Sequence, residues 1–416
     1  MALLGTMIKT LMATLLVLAA VAWPAGAATF SMKRGLNLDQ WTTWTGEEKW
    51  DDAKAILPYP EWRKFLNEDD LKALKEAGFD FLRMPVDPSP FLSDKTLSLR
   101  EDLYASVLDS ARMINRAGLK VVVDLHLIPA GGSRKIGMSE VMDDPATFDA
   151  YVEVVRKMAR TLAAEDPDRV AFELMNEPIL DCDGAGTNLW PDRQKKLFAA
   201  ARASATRLTL ILTGGCYSNA ASLAKVDPKA IPDDNIIWTF HSYDPFLLTH
   251  QGATWAGDFI PYVTGLPYPL TAVPRAELDA ALDTIRDRIR AKAPWTRRAG
   301  LLAYLDEQAA SLDSPEKLLA AMDAPFKTVE AWARANGVEA ENITLGEFGM
   351  IRQEYGNPYV MPGEYRAAYV KDMIARAEAH GFSWSVWGYG GAFGIVDAFD
   401  GKKAEPDVMN MIRALH

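Results

Sequence analysis

Eight short apolar runs punctuate this chain, and each gives way to polar or glycine residues and then to a helical pattern. They are "MKRGLNL" (32–38), "FDFLRMP" (79–85), "LKVVVDLH" (119–126), "RVAFELMNEP" (169–178), "LTLILTGG" (208–215), "NIIWTFHSYDP" (235–245), "NITLGEFG" (342–349) and "FSWSVWGYGG" (382–391). Runs of this length, rich in branched and aromatic residues, read as strands covered on both faces. Between them apolar positions recur at helical spacing. "NEDDLKALKEAGF" starts on Asn67 as an N-cap, carries Asp70 three residues later and stops at Gly78. "LYASVLDSARMINRAGL" ends on Gly118 in the same way.

Strand–helix alternation implies a parallel sheet, and eight such units predict an α/β fold of the (β/α)8, TIM-barrel type. The competing architecture is an open doubly wound sheet. No strand is followed by a dinucleotide-binding glycine pattern, and "GYGGAFG" (388–394) has the wrong spacing for one. About a hundred residues separate the sixth run from the seventh, too many for one crossover helix. Extra loop and helix are expected there, as an insertion that shapes a cleft over the barrel mouth. A small separate domain is the alternative, without a linker to support it.

Composition changes this picture little. Of 416 residues 49% are hydrophobic and 24% charged, an ordinary globular balance with enough material for a large core. The start of the chain differs. Lys9 precedes the apolar stretch "TLMATLLVLAAVAW", and "PAGA" with Ala25 and Ala27 follows. That order reads as a secretory signal over residues 1–27, too short for a spanning helix, with an uncleaved anchor as the alternative. The remainder, 28–416, is expected to be one catalytic barrel, exported to the periplasm or outside the cell and monomeric. Setting aside residues 1–27, whose single charge is Lys9, takes the net charge from −11 to −12. No block of Lys or Arg offsets the acids, so nucleic acid is not an expected partner. Cys182 and Cys216 are the only cysteines; in an oxidising compartment they form a disulfide, otherwise two unrelated thiols.

The unusual polar residues collect where a barrel keeps its chemistry, at strand C-termini. Arg83 closes the second run, His126 the third, Asn176 and Glu177 the fourth, His241 and Tyr243 the sixth, Glu347 the seventh and Trp387 the eighth. Two carboxylates on strands four and seven suit glycoside hydrolysis, one as acid/base and one as nucleophile. Arg83 is placed to keep Glu347 ionised, and Asn176 to hold a sugar 2-hydroxyl. Glu173 shares the parity of Glu177 but lies deeper, where a paired structural acid is the usual finding. The structural alternative for His126 and His241 is a satisfied core histidine. No two histidines have metal-ligand spacing, so no catalytic metal or other cofactor is expected. There is no G-x-S-x-G elbow for serine chemistry. Trp41 and Trp44 follow the first run, Trp190 the fourth, and Trp255 lies in the insertion. Aromatic faces of this kind stack on pyranose rings, and the alternative for each is packing.

The ordered set "RGLNL", "FLRMPV", "DLH", "ELMNEP", "HSYDP", "GEFG" and "WSVWGYGG", spanning residues 34 to 391, resembles the glycoside hydrolase family 5 cellulases of the retaining TIM-barrel clan. The resemblance implies Glu177 as acid/base and Glu347 as nucleophile. It implies Arg83 beside the nucleophile, His126 and Asn176 at the sugar, His241 and Tyr243 orienting the two carboxylates, and Trp387 under the reacting sugar. "DLHLIPAGG" lacks a second histidine often present in relatives, and the long insertion is not generic. The expected substrate is a polysaccharide or oligosaccharide, first a β-1,4-glucan. The alternatives are β-mannan, a β-1,3-glucan, or a non-catalytic carbohydrate-binding barrel in a polysaccharide export or synthesis assembly.

Overall fold

All eight apolar runs become strands: β1 (Arg34–Asn37), β2 (Phe81–Val86), β3 (Lys120–Leu125), β4 (Val170–Glu173), β5 (Thr209–Thr213), β6 (Ile236–His241), β7 (Ile343–Phe348) and β8 (Ser383–Val386). In the computed structural model, which describes residues 28–39, 45–183 and 188–415, they close in chain order into a barrel. Every pairing is parallel, including β1 with β8, and that closing pair excludes the open sheet. The expected signal segment, residues 1–27, lies outside the described residues.

Inward positions along each strand sort into layers. The lowest is apolar: Phe30 and Met32, just before β1, meet Phe81, Val122, Ala171, Ile211 and Ile237. Gly35 in β1 makes room for this floor, because a Cβ there would stand 2.3 Å from the Phe81 ring. Two residues further along the same strands the side chains become Arg83, Asp124, Glu173, Thr213 and Thr239, all 2% exposed or less. Outward positions join the larger core between strands and helices.

The helix signals hold where the chain carried them. Asn67 caps the helix Glu68–Glu76 through a reciprocal bond with Asp70, and Gly78 turns the chain with φ 105°. The helix Arg100–Arg116 likewise stops just before Gly118, at φ 86°.

Between β6 and β7 the insertion contains a looped stretch followed by the helices Arg275–Lys292, Arg298–Ala310 and Pro315–Asn336. The last of these packs on the barrel, with the Phe326 ring edge-on to Phe240 and Trp332 Nε1 donating to Val226 O. Tyr268 in the insertion donates to Asp372 at 2.7 Å and meets Tyr369 edge-on. The insertion is thus tied to the barrel's outer helix Gly363–Ala379.

Candidate active site

Arg83 stands at the centre of the mouth, 2% exposed. Its Nε and Nη2 donate to both oxygens of Glu173, at 2.7 and 2.9 Å. Nη1 donates to Glu347 Oε1 at 2.7 Å and to Asn37 Oδ1 at 3.0 Å. Nη2 also reaches Asn176 Oδ1 at 2.8 Å and Asp124 Oδ2 at 2.9 Å. A guanidinium offers five N–H donors in a planar fork, and here that fork is spent on holding acids. One cation facing three buried carboxyls leaves an excess of negative charge, which favours protons in the site.

Glu347 reaches this position through an irregularity. The β6–β7 register runs Phe240↔Leu345 and then His241↔Glu347, so Gly346 is an extra residue. Leu345 faces the outer core; the bulge turns Glu347 inward where simple alternation would turn it out. Only glycine fits at 346, because a Cβ would lie 2.3 Å from Thr239 Oγ1 and 3.1 Å from His241 Nε2. Glu347 then accepts from Tyr243 Oη at 2.9 Å as well as from Arg83.

Glu177 sits beyond the last residue of β4. The chain leaves the strand after Glu173 and holds Glu177 at φ 39°, a left-handed backbone. Its side chain keeps 29% of its surface, against 5% for Glu347, and faces the opening. His241 Nδ1 lies 2.7 Å from Glu177 Oε1 and 3.6 Å from Glu347 Oε2, so one imidazole nitrogen stands between the two carboxyls. Glu177, His241 and Glu347 offer donor atoms all within 4.8 Å of one another, the one trio of metal-ligating type among the described residues.

Burial pushes both carboxyls up, each to about 7. For Glu347 this is opposed by His241, Arg83 and the Tyr243 hydroxyl; for Glu177 it is opposed by Arg83 and reinforced by Glu173. Donors aimed at Glu347 favour its ionised form, while Glu177 has no cation in contact. Desolvation holds His241 below its usual range, which makes it a neutral ring donating from Nδ1.

On the other wall Asp124 Oδ2 accepts from His126 Nδ1 at 2.8 Å, and His126 Nε2 faces Asn176 Nδ2 at 2.9 Å. Desolvation holds His126 well below its usual range, so its Nε2 accepts from the Asn176 amide. The His126 ring stacks on the half-buried Trp387 at 5.4 Å between centroids. Tyr243 also meets His250 and Phe393, which lead to Trp255, 60% exposed in the insertion.

The structure thus brings Arg83, His126, Asn176, Glu177, His241, Tyr243, Glu347 and Trp387 to one mouth. Trp190 corrects an expectation: it is 2% exposed and donates from Nε1 to Thr213 O, so no ring face is open to a sugar. It opens a helix, and an amphipathic helix buries its first large apolar residue. Trp41 and Trp44 lie outside the described residues. Asn37 and Asp124 were not singled out in the sequence, although Asp124 shares parity with His126 and Asn37 stands in "RGLNL". Glu173 is a paired acid, as its depth suggested. Cys182 and Cys216, left open by the sequence, are bonded to each other.

Comparison with known proteins follows this geometry. The family model described as cellulase (glycosyl hydrolase family 5) matches residues 39–392. Cellodextrinase A of Ruminococcus flavefaciens is 30% identical over 230 residues, 55% of this chain and 63% of that protein. Endoglucanase C of Acetivibrio thermocellus is 27% identical over 240 residues, 58% of this chain and 65% of that one. The matches therefore span just under two thirds of these relatives. Among solved structures, the cellulose synthase subunit Z of Clostridioides difficile superimposes with a TM-score of 0.61 at 22% identity, covering 92% of this chain and 99% of the other. At that identity the likeness is one of fold.

Proposed function

The chain belongs to the cellulase family, glycosyl hydrolase family 5, and from that premise we propose that it is a retaining β-glycanase acting first on β-1,4-glucan. The observation that carries the reading is the spacing and asymmetry of two carboxyls. An oxygen of Glu177 and one of Glu347 lie within 4.8 Å. A retaining pair needs roughly 5–5.5 Å between carboxyls and an inverting pair roughly 6.5–9.5 Å, with a water between them. The asymmetry matters as much: Glu347 is held by Arg83 and Tyr243, and Glu177 is left to carry the proton.

In the first step Glu347 attacks the anomeric carbon while Glu177 gives its proton to the departing glycosidic oxygen. The C–O bond breaks, the leaving sugar departs as an alcohol, and a glycosyl ester forms on Glu347. Glu177, now a carboxylate, takes a proton from water; the resulting hydroxide displaces Glu347 and restores both groups. Losing a proton at Glu177 places negative charge beside His241, whose Nδ1–H already donates there. Asn176 has one amide N–H beyond its bond to His126, which suits a sugar hydroxyl. Trp387 and the exposed Trp255 supply apolar faces for pyranose rings. The names of the cellodextrinase and endoglucanase relatives support a cello-oligosaccharide or glucan substrate. A cleaved signal over residues 1–27, export, and a monomeric, single catalytic barrel complete the reading. No helix of the described residues is long and apolar enough to cross a membrane.

The test is product stereochemistry. Proton NMR of wild-type digests of soluble β-1,4-glucan, β-1,3-glucan and mannan should show the β-anomer first, with mutarotation following. An α-anomer appearing first would overturn the retaining assignment. Cleavage of mannan or β-1,3-glucan alone would move the substrate and leave the mechanism. Binding without cleavage of any polymer would favour the carbohydrate-binding reading.

A further inference from the structure

Six non-glycine residues among those described have left-handed backbone, and five lie in two facing loops: Glu177 (φ 39°) and Asp181 (62°) after β4, Cys216 (41°), Tyr217 (57°) and Ser218 (55°) after β5. The sixth, Asp400, lies near the chain end. Such conformations are unfavourable for residues with a Cβ, and they persist only where the surroundings over-determine them.

What over-determines them is a set of ties between the two loops. The Cys182–Cys216 disulfide joins them. Beside it, Cys216 N donates to Leu180 O at 2.8 Å and Tyr217 N to Pro178 O at 2.9 Å. Pro178 is the residue immediately after Glu177. Gly215 lets the loops approach, since a Cβ there would meet Leu180 O at 2.6 Å. Both loops are fixed to one helix. The Asp181 carboxylate accepts from Leu189 N and Trp190 N at the start of Trp190–Arg202, and that helix holds β5 through Trp190 to Thr213 O and Gln194 to Thr213 N.

We propose that the Cys182–Cys216 bridge is a positioning device for the proton donor, holding the left-handed turn that aims the Glu177 carboxyl at the leaving oxygen. The inference rests on the reading of Glu177 as acid/base and assigns a role to a bond that the chemistry itself does not use. A crosslink serving stability alone would tie any two loops; this one ties the single active-site loop whose strained backbone carries the acid. Opening it frees the residues on either side of Pro178 to relax toward ordinary backbone, and the carboxyl moves with them. Glu347, held from β7 by Arg83 and Tyr243, stays in place.

The experiment separates proton donation from stability. C182S, C216S and C182S/C216S are compared with wild type, and with wild type reduced by dithiothreitol, on aryl glycosides of the disaccharide its preferred polymer yields. All assays run well below each melting temperature. In kcat/KM, which reports the first step, leaving groups that depart without a proton, such as dinitrophenolate, should lose little; poor leaving groups should lose about tenfold or more, part of the 10²–10⁴ a general acid supplies. The basic limb of the pH profile of kcat/KM should flatten for the poor leaving groups. An equal loss of kcat/KM across leaving groups, or a fall in melting temperature with unchanged kcat/KM, would overturn the proposal. Should the variants fail to fold, reduced wild type carries the same comparison. Glu177→Ala is the control: if it shows no leaving-group dependence, the acid/base assignment itself is wrong.

Discussion

The floor of the barrel and the layer directly above it use the same strands, two residues apart, and obey opposite rules. Phe81, Val122, Ala171, Ile211 and Ile237 below become Arg83, Asp124, Glu173, Thr213 and Thr239 above. Below, the side chains that meet are apolar and the protein gains from excluding water. Above, burial costs free energy that is only partly offset by ion pairing, and it raises the carboxyls that chemistry needs raised. Closure of the barrel imposes the inward direction on both layers. What separates them is distance from the strand C-termini, which decides whether a buried group can meet substrate.

The sharpest way to break this contrast is to remove Glu347, the proposed nucleophile. Glu347→Ala should lower kcat by about four or more orders of magnitude on the preferred polymer while the fold survives, because a covalent step has no substitute. Reducing-sugar release together with a urea melt checks it. Activity within tenfold of wild type would end the assignment.

Next comes the hub. Arg83→Met leaves Asp124, Glu173 and Glu347 buried without their cation, and removing one partner of a buried pair costs about 3–5 kcal/mol. The sign with pH is fixed. Without Arg83 the three carboxyls rise further, and their ionised forms are penalised more as pH increases. The loss, read from urea midpoints, should therefore be larger at pH 8 than at pH 5. A pH-independent loss would mean that Arg83 acts by packing alone.

The floor should answer differently. Phe30→Ala removes a ring that is 1% exposed from the apolar layer. It should cost about 3 kcal/mol, a typical value for emptying an aromatic site. Away from the melting temperature kcat should hold within a factor of two, because the floor side chains are apolar and take no part in the charged layer's ion pairs. A matching fall in kcat would show that the two layers are coupled.

How much of this was legible beforehand follows from the same contrast. Period and punctuation sufficed for the eight strands, for the Asn67 cap and for Gly78 and Gly118, because those signals are local. Strand-end position sufficed to bring Arg83, His126, Asn176, Glu177, His241, Tyr243, Glu347 and Trp387 together. The direction of Glu347 was not legible, since it depends on an extra residue at Gly346 that pairing alone reveals. Trp190 was misread because an aromatic after a strand can open a helix as easily as line a cleft. Asp124 was overlooked because a lone strand acid is silent until its partner is known, and its partner Arg83 is 41 positions away in the chain.

The smallest effect is the most discriminating. With Glu177 raised to about 7, its protonated form, and with it the first step, is present below that pH and lost above. The basic limb of kcat/KM should fall there for substrates with poor leaving groups. Glu173 is one cause of the raised value, since its charge disfavours a second carboxylate nearby. Glu173→Gln removes that charge and should move the limb toward lower pH by less than one unit, equivalent to under about 1.4 kcal/mol. Ile211→Val, two residues below Thr213 on β5, should leave the limb where it is. A limb that moves upward in Glu173→Gln would locate the titration on some group other than Glu177. A limb that moves equally in both variants would mean that the floor and the charged layer are one electrostatic unit and that their separation is only geometric.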